Sequence, residues 1–181
     1  MSFVKCLLSI CDKESVNISE NCNIKNDILA KLSTSDKIVE HINHNKALHL
    51  ADSVSKLSTS IKKKVGCIIM HNNKVISSGY NRVPDEFSDK RCEDNNGKTH
   101  WYVIHAEADA ILKLKKIENE NEIKLSNCTM YITLSPCKDC AKLIYQAGIK
   151  NVIYRDTYKN TDAIEFLTNL NVDIKSSDVI N

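Results

Sequence analysis

Apolar positions along the chain become regular from about Ile38. Leu48, Ala51, Val54 and Leu57 recur at helical spacing, which predicts a helix over 38–57. Val65-Gly66-Cys67-Ile68-Ile69-Met70 is an apolar run rich in β-formers. Asn72-Asn73 supplies a tight turn after it and Lys74-Val75-Ile76-Ser77-Ser78-Gly79 returns, so the two runs read as a hairpin. Residues 80–104 form a long polar loop, and long loops inside compact domains often carry function. Ala106, Ala110, Ile111 and Leu114 line one face of a helix over 106–116. A strand follows at 129–134, then a helix over 138–147 that Gly148 stops. Residues 151–155 read as a strand, 162–170 as a helix and 171–175 as a weak strand. Strands alternating with crossover-length helices predict an α/β fold: a three-layer α/β/α sandwich around a mixed five-stranded sheet.

Residues 1–45 depart from this pattern. They are rich in Asn, Ser and Lys, with no strong period, and read as an extension carrying short helices near 27–32. The domain proper is assigned to 46–181. No apolar run approaches the roughly 20 residues that span a bilayer. Cys6-Leu7-Leu8-Ser9-Ile10-Cys11 is too short for a secretory core segment, so a cytoplasmic protein is expected. A net charge of +2 provides no broad basic field, which favours a small substrate over a long polyanion. Eight cysteines without a secretory signal read as metal ligands or free thiols and not as a disulfide framework.

Pro136-Cys137-Lys138-Asp139-Cys140 lies where a strand hands over to a helix. Proline ends the strand, and two cysteines three apart in the first helical turn share one face. The helix dipole favours their thiolates. A redox pair or two buried small residues are the alternatives for a Cys-x-x-Cys taken alone. His105, 32 residues before Cys137, opens the preceding helix. Two helix N-termini can converge over the carboxyl ends of the strands, giving three ligands and one open position. A closed structural zinc site needs a fourth protein ligand; a catalytic site keeps that place for water. Glu107, two residues after His105, can point its carboxylate at the open position, although a glutamate in a first turn also suits the dipole.

His-x-Glu followed by Pro-Cys-x-x-Cys is the signature of zinc deaminases. Together with Val65-Gly66-Cys67-Ile68-Ile69, Ser78-Gly79-Tyr80-Asn81, His105 to Ile111, Met130 to Ile144 and Gln146 to Lys150, it makes residues 46–175 resemble the cytidine and deoxycytidylate (dCMP) deaminase superfamily. The resemblance implies a cytidine deaminase-like fold and hydrolysis of dCMP to dUMP and ammonia, feeding thymidylate synthesis. It implies one Zn2+ per chain on His105, Cys137 and Cys140, with Glu107 moving protons. The backbone at Ala106 and Ser135 would hold the pyrimidine edge. Asn81 would bind the sugar 3′-hydroxyl, unless it is a turn asparagine. Tyr158 matches a tyrosine near the pocket, or is a packed edge aromatic. Lys64, in Lys62-Lys63-Lys64, and Arg82 are the candidates for the substrate phosphate; a solvated charged turn is the alternative for the lysines. A homo-oligomer, commonly a hexamer, is implied as well.

The chain also departs from the family. Arg82-Val83-Pro84-Asp85-Glu86-Phe87 stands where regulated members have glycines that approach an activating dCTP, so that regulation is not carried over. Cys92 and His100 form no convincing four-ligand set, so no second zinc is expected. Cys6, Cys11, Cys22, Cys67 and Cys128 are expected to be free thiols. Two other functions share these motifs: a deaminase acting on adenosine or cytidine in tRNA or single-stranded DNA, and a non-catalytic zinc-stabilised module. The near-neutral charge and the absence of an aromatic-and-basic tail weigh against the first. The open position and Glu107 weigh against the second.

Overall fold

The computed structural model describes residues 44–115 and 123–179. These belong to one compact unit, Ile42–Asn181. The expected helices near 27–32, and the start of the helix expected over 38–57, lie outside the described residues.

Helix α1 (His44–Ser55) leads into the hairpin β1 (Gly66–His71) and β2 (Lys74–Tyr80). Asn72 and Asn73 turn it with φ of 48° and 61°, the left-handed pair that a two-residue hairpin loop requires. Helix α2 (Ala106–Lys115), strand β3 (Thr129–Leu134), helix α3 (Lys138–Ala147), strand β4 (Asn151–Asp156), helix α4 (Asp162–Asn169) and strand β5 (Asp173–Ser176) follow. The sheet order is β2-β1-β3-β4-β5. β1 is antiparallel to β2 and β3, whereas β3, β4 and β5 run parallel.

Alternation along the strands divides the interior into two layers. Ile68, Met70, Tyr131 and Ile153 point to one face, against Ala47, Leu48, Ala51 and Val54 of α1. Cys67, Ile69, Met130, Ile132 and Val152 point to the other, against Ala110 and Ile111 of α2, Ala141 and Ile144 of α3, and Ala163 and Leu167 of α4. The result is the expected α/β/α sandwich around a mixed five-stranded sheet, with one helix opposite three. Each fully buried aliphatic side chain contributes roughly 1.5–3 kcal/mol relative to exposure.

Two glycines set how closely the helices approach. A Cβ at Gly66 would collide with the carbonyl oxygen of Ala51 in α1. A Cβ at Gly79 would collide with the carbonyl oxygen of Ala106 in α2. Helix α3 ends on Gly148 at φ 83°, with Gly148 N–H donating to Tyr145 O and Ile149 N–H to Ile144 O, a Schellman closure. Asn171, at φ 57°, closes α4 similarly through Val172 N–H to Leu167 O. That closure explains why β5 begins at Asp173 and not at 171 as the pattern predicts. No helix among the described residues is long and apolar enough to cross a membrane.

Candidate active site

Both helices that face the centre of the sheet begin on a ligand-type residue. His105 immediately precedes α2 and accepts the Asp109 N–H on its carbonyl. Cys137 is the N-cap of α3 and accepts the Ala141 N–H in the same way. Cys140 lies one turn inside α3. The chain folds this way because Pro136 follows one residue after β3 ends at Leu134, and Ile104 N–H pairs with Arg82 O, which delivers His105 to the start of α2.

The consequence is a tight donor group. His105 Nδ1 lies 3.5 Å from Cys137 Sγ and 3.4 Å from Cys140 Sγ. The three ligand atoms all fall within 4.8 Å of one another, a spacing that one ion can bridge. Exposure is graded across the group: His105 is exposed, Cys137 half-buried and Cys140 buried. A hydrogen bond from Cys140, resisted by burial and helped by His105, pushes the Cys137 thiol down to about 4. The bond to Cys137, burial and the nearby Glu107 push Cys140 up, so the two sulfurs share a proton. Its contact with Cys137 raises the His105 imidazole against the opposing effect of burial. A neutral imidazole and two thiolates are a soft N/S donor set suited to zinc, and binding a dication releases the shared proton.

Glu107 is 4% exposed, in the first turn of α2. Burial pushes its carboxyl above the ordinary value, although its own backbone N–H, His105 and the Cys140 thiol pull the other way. A buried carboxyl poised above its usual range, beside three ligands and outside that set, is suited to accept and return a proton.

The remaining expected residues are placed as follows. Ala106 is fully buried at the start of α2. Ser135 is buried; its N–H donates to Asp156 O at 2.8 Å and its hydroxyl accepts the Tyr158 N–H at 2.8 Å. Tyr158 is thereby tied over the end of β3, 46% exposed. It lines a cavity of about 260 Å3 with Cys137, Lys138, Asp139, Asn160 and Ala163. Asn81 accepts the Val65 N–H on Oδ1 and donates from Nδ2 to Lys63 O, both at 2.8 Å. The structure therefore brings Asn81 together with the segment that carries Lys64, which is exposed. Arg82 turns inward instead. Its Nε lies 3.0 Å from Asp109 Oδ1 and its Nη1 3.0 Å from Asp85, while Lys113 Nζ meets Asp109 Oδ2 at 2.5 Å. Asp109, buried between two cations, escaped the sequence reading because the 27 residues separating it from Arg82 match no local spacing rule.

Cys67, Cys92 and Cys128 are free and buried, as expected of Cys67 and Cys128. Among the described residues, His105, Cys137 and Cys140 form the one group of His, Cys, Asp or Glu side chains close enough to hold a metal.

A family model described as the cytidine and deoxycytidylate deaminase zinc-binding region matches residues 41–156. The chain belongs to that family. It is 42% identical to the human deoxycytidylate deaminase over 103 residues, covering 53% of this chain and 54% of the human one. The chain thus spans about half the length of that relative. A probable deoxycytidylate deaminase of Caenorhabditis elegans is 30% identical over 171 residues, covering 89% of this chain and 81% of the relative. Among solved structures, the dCMP deaminase of cyanophage S-TIM5 in complex with dCMP and dUMP superposes with a TM-score of 0.66 at 35% identity, covering 71% of this chain and 92% of the phage chain. The zinc-binding description of the family agrees with the donor set found at His105, Cys137 and Cys140.

Proposed function

We propose that this chain hydrolyses dCMP to dUMP and ammonia. The observation that carries the reading is the buried Glu107 carboxyl set beside the three-ligand group of His105, Cys137 and Cys140. Two conclusions follow from that arrangement. Three donors leave a coordination place open, which a structural zinc site does not do. A buried carboxyl outside the donor set and beside the open place is positioned to handle protons.

His105 Nδ1, Cys137 Sγ and Cys140 Sγ would hold the zinc. Zinc, when bound, lowers the pKa of a water to about 7 and so would supply a nucleophile at neutral pH. Glu107 would take one proton of the water and deliver it to N3 of the cytosine ring, then take the second from the new C4 hydroxyl and pass it to the amine as it leaves C4, so that both protons of the water are accounted for. Ala106, through its backbone, and Ser135, whose N–H is bonded to Asp156 and which therefore offers its carbonyl, hold the pyrimidine edge. Tyr158 closes the cavity beside Cys137. Asn81 serves the sugar 3′-hydroxyl from the end of β2, and Lys64 serves the phosphate. Arg82 has Asp109 and Asp85 as partners, which supports Lys64 over Arg82 as the phosphate contact. A homo-oligomer, a hexamer by family likeness, completes the reading.

Zinc-loaded protein is expected to release ammonia from dCMP, and Glu107→Ala to abolish turnover while keeping one zinc per chain. An active Glu107→Ala variant sinks the assignment. Activity on tRNA or single-stranded DNA with none on dCMP redirects it to nucleic-acid editing.

A further inference from the structure

Lys62, Lys63 and Lys64 stand in succession, all exposed, on the segment between α1 and β1. Three adjacent like charges favour an open chain, yet the backbone beneath them is closed. Ile61 N–H donates to Glu93 Oε2 at 3.1 Å and Lys62 N–H to Glu93 Oε1 at 3.4 Å. Lys63 N–H donates to Ser60 Oγ at 3.3 Å, and the Ser60 hydroxyl donates to Glu93 Oε1 at 2.6 Å. Successive N–H groups turned to one side form an anion-binding concavity. Here the resident anion belongs to the protein itself, since the Glu93 residue, from the loop before α2, is only 5% exposed.

The same turn is tied to the substrate side of the sheet. Ser58 Oγ accepts the Ser60 N–H and donates to Asn81 O at 2.7 Å, and Asn81 Nδ2 donates to Lys63 O. Arg82, next along, pairs with Ile104, the neighbour of His105. Glu93 therefore lies at the base of a continuous hydrogen-bonded unit that carries the lysines at one end and meets the start of the catalytic helix at the other. Burial pushes its carboxyl up, but the Ser60 hydroxyl and the two N–H groups more than offset that, so it is ionised at neutral pH.

We propose that Glu93 is a positioning residue for phosphate recognition: its carboxylate closes residues 60–63 around itself and so sets where the lysine side chains stand. The inference rests on the dCMP reading above, and it gives Glu93 no part in the chemistry of the ring. Loss of the carboxylate frees the turn, and the three lysines then spread apart. Affinity for the phosphate falls, while the group at His105, Glu107, Cys137 and Cys140 is untouched.

The test is steady-state kinetics of the zinc-loaded full chain on dCMP and on deoxycytidine, which lacks the phosphate. Glu93→Ala is expected to raise the KM for dCMP about tenfold, the scale of losing hydrogen bonds to a charged group, with kcat within about twofold. The preference for dCMP over deoxycytidine, as the ratio of kcat/KM values, falls by the same factor. Ser60→Ala moves the ratio in the same direction by a smaller step, and Glu93→Gln, which keeps one acceptor, lies between. An unchanged ratio overturns the proposal, as does a fall in kcat common to both substrates, which marks a merely structural residue. Should Glu93→Ala fail to fold, Ser60→Ala and Glu93→Gln decide by the same criteria. A wild-type protein inactive on dCMP sinks the parent reading; an active one whose variants keep the ratio sinks only the role of Glu93.

Discussion

Gly79 and Ala106 meet backbone to backbone: a Cβ at Gly79 would run into the Ala106 carbonyl oxygen and stand 2.5 Å from the Ala110 nitrogen. Ala106 separates His105 from Glu107, so this contact fixes the height of the His105–Glu107 turn above the sheet. Gly79→Ala is expected to cost at least about 1–3 kcal/mol, the range for overpacking a closed site. It should also weaken zinc binding, because α2 must shift while α3 stays. Chemical denaturation together with zinc titration checks both; a stability loss under about 0.5 kcal/mol means the helix adapts freely.

Removal of ligands separates holding the metal from using it. His105→Ala and Cys140→Ser are expected to purify without zinc, and Glu107→Gln to retain it. Because a bound ion stabilises the folded state by mass action, each tenfold excess of free zinc over its Kd adds about 1.4 kcal/mol. The thermal midpoint should rise with added zinc for wild type and for Glu107→Gln, and remain flat for Cys140→Ser. Metal analysis and thermal scans read the difference.

Arg82 is a structural cation in this fold. Its guanidinium is 21% exposed and paired with a carboxylate 3% exposed. Arg82→Ala leaves Asp109 with Lys113 and the Tyr80 N–H, and breaking such a buried pair costs up to about 3–5 kcal/mol. The preference for dCMP over deoxycytidine should stay as in wild type. A collapse of that preference without loss of stability returns Arg82 to the phosphate.

Glu93 also predicts an acid dependence. Its folded carboxyl lies below the ordinary value of 4.5, because hydrogen bonds outweigh burial. The contribution of its charge to stability is therefore complete above that value, and it is lost as pH falls through the lower folded one. Urea midpoints of wild type and Glu93→Gln should differ at neutral pH and converge below the usual carboxylate range. A gap that stays constant with pH assigns the effect to shape and not to charge.

Much of this was legible along the chain. β3 and α3 occur where the apolar pattern puts them, because a strand bounded by Pro136 and a helix bounded by Gly148 carry their own stop signals. The helix expected to reach 57 ends at Ser55, where Ser55 Oγ bonds Asp52 O and Leu57 N–H closes onto Val54 O. Side chain-to-backbone competition of that kind leaves no periodic trace. The ligand group was legible because helix starts have recognisable neighbours. The carboxylates of Asp109 and Glu93 were not. Their partners Arg82 and Ser60 lie 27 and 33 residues away, and only the folded chain puts them together.

On the proposed reading, the groups that hold the metal and move the proton stand at the first turns of α2 and α3, whereas the proposed substrate contacts Asn81, Lys64 and Tyr158 stand on the segments that link the framework. Such a division makes the substrate the evolvable part of the molecule. Exchanging residues 58–65 and 80–104 for those of a relative would redirect specificity and leave the bond-breaking apparatus intact, so new nucleotide preferences can arise from this scaffold without reinventing its chemistry.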